Sequence, residues 1–297
     1  MTWLSDDAVS HLRAVTDEPQ TANTRYEIVR QIARGGMGVV YEADDRELQR
    51  RVALKVIASE LAAGDAADRL RDEARVIASL EHPGIVPLHD AGVLADGRLF
   101  YVMKLVRGRR LDEFARDDHA STEVLRVFLR ICEAVAFAHA RGIVHCDLKP
   151  ENVMLGEFGE VLVMDWGIAR VLDAANRNDI IAGTLGFMAP EQERGEIDKT
   201  VDVFALGAIL RAIISNPPKP LAAVIAKAMS IDKNNRYNDA RELADEIIRY
   251  LDDAPLVAYR ATVVERAAKW LQRNNALIMI VVAYVVMRVI FFFWVRR

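Results

Sequence analysis

At Ile143–Leu155 the chain reads IVHCDLKPENVML. An apolar pair leads in and the run VML leads out. Between them His145, Asp147, Lys149 and Asn152 crowd into one short polar loop. A carboxylate, an ammonium and an amide at this spacing make a candidate reaction centre, with Asp147 as the base or orienting group for an attacking hydroxyl. Whether the loop belongs to a larger constellation depends on what precedes and follows it.

Upstream, the pattern is that of strands. YEIVRQIA from Tyr26, a glycine turn, GVVYEADD and RRVALKVIA form a three-strand meander. Asp65–Leu80 has helical spacing at Leu70, Ala74, Ile77 and Leu80. IVPLHDAGV and GRLFYVMKLV then give two more strands across the turn Asp96-Gly97. Five strands and one helix constitute a small lobe. After Gly108 the pattern is mainly helical: Val124–Ala140, a stretch near Val201–Ile214, Leu221–Met229 and Ala240–Leu251, with NVML and VLVMD as short strands around residues 156–160. Residues 5–16 suit a short capped helix with Ser5 as its cap.

Three other stretches bear on chemistry. ARGGMGVVY at Ala33–Tyr41 places glycines between two strands, where backbone N–H groups can approach phosphate oxygens. Lys55 lies within the apolar run VALKVI of the next strand, so burial is expected. A buried ammonium needs a counter-charge, and Glu73 on the following helix is the candidate. Asn152 and Asp165, the latter at the end of VLVMD, are oxygen donors of the kind magnesium takes.

Taken in order, GGMGVVYEA, VALKV, HPGIV, HCDLKPEN, DWG, GTLGFMAPE, DVFALG and Arg236 in NNRYNDA resemble the eukaryotic-type (Hanks-type) protein kinases. The similarity is greatest to the membrane-anchored serine/threonine kinases of bacteria, and it runs from about Tyr26 to Leu251. It implies an α+β, bilobal fold, with a β-rich lobe at about 25–105, a helical lobe at about 106–251 and an extension at 1–24. It also implies ATP and Mg²⁺ as cofactors. Asp147 would accept the substrate hydroxyl's proton and Lys149 would reach the γ-phosphate, while Asn152 and Asp165 would hold the metal. Ala33, Gly35, Gly36 and Gly38 would cover the phosphates, and Lys55, paired with Glu73, would hold two of them. Ile32, Val40, Ala53 and Leu155 would line the adenine slot, with Met103 as gatekeeper. Glu191 would pair with Arg236, Asp202 would brace the catalytic loop, and Thr184 would contact it.

Three departures stand out. Ala33 replaces the first glycine of the phosphate loop. The stretch between Gly207 and Arg236 is shorter than the family's, so a truncated helical region is expected there. Cys146 stands where the family carries an arginine that pairs with an activation-loop phosphate. Residues 168–183, IARVLDAANRNDIIAG, contain no serine, threonine or tyrosine. Both halves of a phosphate switch are therefore missing together, and the sequence implies a kinase active without it. A nucleotide-binding pseudokinase and a small-molecule phosphotransferase are the competing assignments.

The bulk properties set the remaining limits. The chain has 297 residues, is 52% hydrophobic and carries a formal net charge of −4 with no basic run, which argues against nucleic acid as a main partner. Its two cysteines, Cys132 and Cys146, lack metal spacing and read as free thiols of a reducing cytoplasm. The acidic N-terminus is unlike a signal peptide. Residues 276–295, ALIMIVVAYVVMRVIFFFWV, hold one charge, Arg288, and reach about 30 Å as a helix, enough for a single membrane span. Arg260, Arg266, Lys269 and Arg273 make 252–275 a basic juxtamembrane segment and outnumber Arg296 and Arg297 beyond the span. A cell-membrane protein with its kinase domain cytoplasmic and only a few residues outside is expected. Its partners would be the membrane, a protein substrate and, in a homodimer, a second copy.

Overall fold

The computed structural model describes residues 19–35, 38–57, 78–117, 121–166, 169–171 and 183–260, together with 262, 265 and short helical pieces between 279 and 294. Strands β1 (Tyr26–Gly35), β2 (Gly38–Asp45), β3 (Arg50–Ile57), β4 (Leu88–Val93) and β5 (Leu99–Lys104) form a five-stranded sheet in the order β1-β2-β3-β5-β4. Every pairing in it is antiparallel. Side chains alternate between its faces. Tyr41, Ala43, Val52, Leu54, Val56, Phe100 and Val102 form one cluster on the outer face. Ala53, Ile57, Leu99, Tyr101 and Met103 point the other way and join the main core. Of the helix expected at Asp65–Leu80, only residues 78–80 are described, of which 78 and 79 are helical and Leu80 is buried just beyond them; Glu73 lies outside the described residues. The same holds for the helix expected at 5–16.

The second lobe begins with β6 (Gly108–Arg110), α1 (Leu111–Phe114) and α2 (Ser121–Ala140). Val124, Leu125, Phe128, Ile131, Cys132 and Val135 give α2 one buried stripe at helical spacing. Short strands follow: β7 (Ile143–Val144), β8 (Val153–Gly156), β9 (Val161–Val163) and β10 (Arg170–Val171). They form a three-stranded sheet, β6-β8-β9, and a two-stranded one, β10-β7. These small sheets set the two ends of the loop after β7.

Helices α3 (Lys199–Ile213), α4 (Lys219–Ala228) and α5 (Ala240–Leu251) complete the lobe. Asp198 caps α3 by accepting from the Thr200 N–H, and Asp239 caps α5 by accepting from Arg241 and Glu242. Residues 214–218 alone join α3 to α4. The two helices approach closely because α3 carries Gly207, where a Cβ would lie 2.8 Å from both Ala228 Cβ and Met229 Cγ. The lobes are sewn together at the back. Val163 N–H donates to Gly84 O at 2.8 Å, Val86 N–H donates to Val163 O at 3.2 Å, and Lys104 pairs with Glu160 at 3.2 Å.

No helix among the described residues is long and apolar enough to cross a membrane. Half of 276–295 lies outside the described residues.

The hairpin joining β1 and β2 sets a stringent steric condition. Gly38 has φ +149°, and a Cβ there would lie 2.2 Å from the Val56 carbonyl oxygen. Gly38→Ala should therefore cost about 1–3 kcal/mol of stability, the usual cost of an enforced unfavourable backbone state. Urea unfolding of the two proteins checks this; equal midpoints would refute it.

Candidate active site

The loop between β7 and β8 is organised around Asp202, a carboxylate on the first turn of α3 that is 1% exposed. Its Oδ2 accepts the His145 N–H at 2.8 Å and the His139 Nε2–H at 2.9 Å, and its Oδ1 accepts the Cys146 N–H at 2.9 Å. His139 Nδ1 accepts from Ala240 N–H at 3.3 Å, which places the ring hydrogen on Nε2. Burial pushes the Asp202 carboxyl pKa up, but the hydrogen bonds from the His139 ring and the His145 N–H outweigh it, and the carboxyl is held below its ordinary value.

His145 is the second support. Its Nδ1 accepts from Asp147 N–H at 3.2 Å and its Nε2 donates to Met164 O at 3.0 Å. The ring packs on the fully buried Trp166, with centroids 4.6 Å apart, and Trp166 Nε1–H reaches Val163 O at 3.3 Å. His145 thus ties the backbone of Asp147 to the segment that leads from β9 to Asp165.

On this frame the polar side chains converge. Asp147 Oδ1 accepts from the Thr184 hydroxyl at 2.8 Å, and Oδ2 accepts from Lys149 Nζ at 2.9 Å. Lys149 Nζ also donates to Thr184 Oγ1 at 2.7 Å. Asn152 Nδ2 donates to the Asp147 backbone oxygen at 2.8 Å and to Oδ2 at 3.3 Å. Across the cleft, Lys55 Nζ meets Asp165 Oδ1 at 2.5 Å. Burial pushes the Asp165 carboxyl upward, while the Lys55 charge and hydrogen bond pull it below its ordinary value. Glu73, the counter-charge expected from the sequence, lies outside the described residues; Asp165 meets the Lys55 ammonium because the turn after β9 brings it there, at φ +58°.

Lys55 stands opposite Val40 on β2 and Tyr101 on β5, and Ala53 stands opposite Met103. Val40, Ala53, Met103 and Lys55 therefore share the face that looks toward the second lobe. Leu155 on β8 is partly buried against the same core, Ile32 is 43% exposed, and Ala33 pairs with Val40. Gly35 pairs with Gly38, and Gly36 lies outside the described residues.

No group of three His, Cys, Asp or Glu among the described residues could hold a metal ion. Magnesium does not require one, since it is commonly held by one or two side-chain oxygens together with phosphates and water. The donor set fits that mode. Asn152 donates through Nδ2 to Asp147 and keeps its amide oxygen as an acceptor, and Asp165 supplies the carboxylate.

Beneath the cleft, Glu191 and Arg236 form a buried bidentate pair, with Arg236 Nη2 on Glu191 Oε2 at 2.8 Å. Arg236 also donates to Ser230 O at 2.7 Å and Thr200 O at 3.0 Å. Two contributors were not singled out from the sequence, His139 and Gln192. His139 had a signal, lying on the buried stripe of α2 and followed by a buried acid on α3. Gln192 had none, because a glutamine after a turn carries no pattern.

The protein kinase domain family matches residues 26–253. The chain belongs to the protein kinase family. It is 30% identical over 294 residues to serine/threonine-protein kinase PknD of Protochlamydia amoebophila, an alignment covering 76% of the chain and 30% of that protein. It is 34% identical over 284 residues to serine/threonine-protein kinase PknB of Mycolicibacterium smegmatis, covering 80% of the chain and 45% of that protein. The chain thus spans less than half the length of these relatives. Among solved structures, the PknI kinase domain of Mycobacterium tuberculosis aligns with TM-score 0.62 and 27% identity, over 77% of this chain and 96% of that one.

The lowered Asp202 pKa has a pH signature. A group whose folded pKa is depressed stabilises the fold above its unfolded pKa and loses that contribution as pH falls through the folded value. Asp202→Asn should cost about 3–5 kcal/mol at pH 7, as for one partner of a buried pair. The gap to the native kinase should narrow below the ordinary carboxylate range. Urea titrations at pH 7 and pH 3 test this, and a pH-independent gap would contradict it.

Proposed function

We propose that this kinase is an ATP- and Mg²⁺-dependent serine/threonine protein kinase, tethered to the membrane through residues 276–295 and active without activation-loop phosphorylation. The observation that carries the proposal is the convergence of Asp147, Lys149, Thr184 and Asn152 on one side of the cleft, facing the Lys55–Asp165 pair. Magnesium bound by Asn152 and Asp165 would neutralise charge on the transferring phosphate.

The remaining roles belong to the chain's own side chains. Asp147 orients the acceptor hydroxyl and takes its proton. Lys149, hydrogen-bonded to Asp147, keeps that carboxylate in place and offers an ammonium to the transferred group. Lys55 holds the phosphates from above while remaining paired with Asp165. Ala53, Met103, Val40 and Leu155 provide an apolar slot for a flat base. The placement of Lys149 two residues past Asp147, together with the names of the relatives, supports serine or threonine as acceptor.

The membrane assignment rests on the sequence of 276–295 and on what surrounds its described part. Met279, Ile280, Tyr284, Val286, Met287, Phe291, Phe292 and Trp294 are helical and more than half exposed. Exposed apolar side chains in such number on a helical segment suit a lipid environment. With the basic residues of 252–275 on its inner flank, the kinase domain would be cytoplasmic.

Phosphate labelling of a generic protein substrate tests the catalytic part. The native kinase should transfer label with Mg²⁺, and Asp147→Asn should lower the rate at least about a hundredfold, the low end of a general base's contribution. Label on serine and threonine is expected; equal rates would overturn the assignment of Asp147. A chain ending at Asp253 should leave the membrane fraction and keep its Mg·ATP-induced rise in melting temperature. Continued sedimentation with membranes would exclude 276–295 as the anchor.

A further inference from the structure

The peptide plane between Cys146 and Asp147 decides the direction in which the Asp147 side chain leaves the loop. Cys146 lies in the left-handed region, φ +68°, a conformation that a residue with a Cβ keeps only where its surroundings impose it. Three contacts impose it here. The Cys146 N–H is held by Asp202, and the Asp147 N–H by His145 Nδ1. The Cys146 carbonyl accepts from Gln192 Nε2–H at 2.6 Å. Gln192 and His145 thus grip opposite edges of one peptide plane.

Gln192 is well placed for this. It is 3% exposed and begins the short turn Gln192–Arg194, directly after Glu191, which Arg236 anchors. The root of the side chain is therefore fixed. Its amide also lies against the segment carrying Thr184: a Cβ on Gly183 would sit 3.0 Å from Gln192 Nε2. One amide thus touches both neighbours of the Asp147 carboxylate, the loop residue before it and the segment whose hydroxyl binds it. The Cys146 thiol packs with Val144, Ala189 and Val201 in a small apolar cluster.

We infer that Gln192 is a positioning residue for phosphate transfer, fixing the Cys146–Asp147 peptide, and through it Asp147, in its reactive placement without a phosphate. The inference rests on the proposed serine/threonine kinase activity and names the contact that replaces the missing arginine–phosphate pair.

Two variants of the full chain test it in the labelling assay. Gln192→Met keeps the length and removes the donor; kcat should fall at least about tenfold, since small misplacement of a reacting group is costly. KM for ATP and the Mg·ATP-induced melting shift should hold within about twofold, because the nucleotide-binding groups are untouched. Gln192→Glu should be slow at neutral pH and regain rate relative to the native kinase as pH falls, since only the protonated carboxyl can donate to the Cys146 carbonyl. Burial raises the pKa of such a carboxyl and brings the recovery into an accessible range. A Gln192→Met rate equal to native, or a Gln192→Glu pH profile parallel to native, would overturn the positioning role. Should Gln192→Met fail to fold, the Gln192→Glu profile decides alone. Absence of transfer by the native kinase would overturn the proposed activity itself, an outcome distinct from native transfer with indifferent variants.

Discussion

A carboxylate taken out of water must find its hydrogen bonds within the protein or cease to be charged. Asp202 solves this with two backbone N–H groups of the catalytic loop and one imidazole. The solution constrains everything near it. Because the acid is rooted in α3 and the imidazole in α2, the loop between β7 and β8 is fixed to the two central helices of its lobe. Asp147 is then placed by rigid elements. His145 extends the connection to the turn bearing Asp165, so both acids of the cleft depend on one buried network.

A second buried pair, Glu191 with Arg236, does similar work below the cleft. It anchors the turn from which Gln192 reaches Cys146, and the segment before it carries Thr184 to Asp147. Charged groups in a core rarely add much net stability over well-packed apolar ones. Here they supply direction, because each bond fixes where a backbone segment must lie.

Much of this was legible in the sequence. Period-two alternation over Tyr26–Ile57 gave the strands, since one sheet face had to be buried, and the apolar stripe of α2 gave the longest helix. Lys55 could be read as buried from its apolar neighbours, and Asp147, Asn152 and Asp165 could be picked out as candidates from their spacing. Other parts were not legible, for physical reasons. Lys55 needed an anionic partner, but sequence alone does not say which acid comes within reach, and the described partner is Asp165. Gln192 acts through an amide donor on a carbonyl distant in sequence, and no composition or period records that. The left-handed φ of Cys146 is likewise imposed by its three neighbours and not by its own side chain.

A catalytic loop held by Asp202, His145 and Gln192 is proposed to work without an activating phosphate. The most direct measurement is the initial rate of γ-phosphate transfer by the kinase before and after phosphatase treatment, with mass spectrometry to show that all phosphate is gone. Equal rates, within about twofold, are predicted, because the ordering contacts are built into the chain. A fall of about tenfold or more on dephosphorylation would contradict the account and locate a switch that the buried network does not replace.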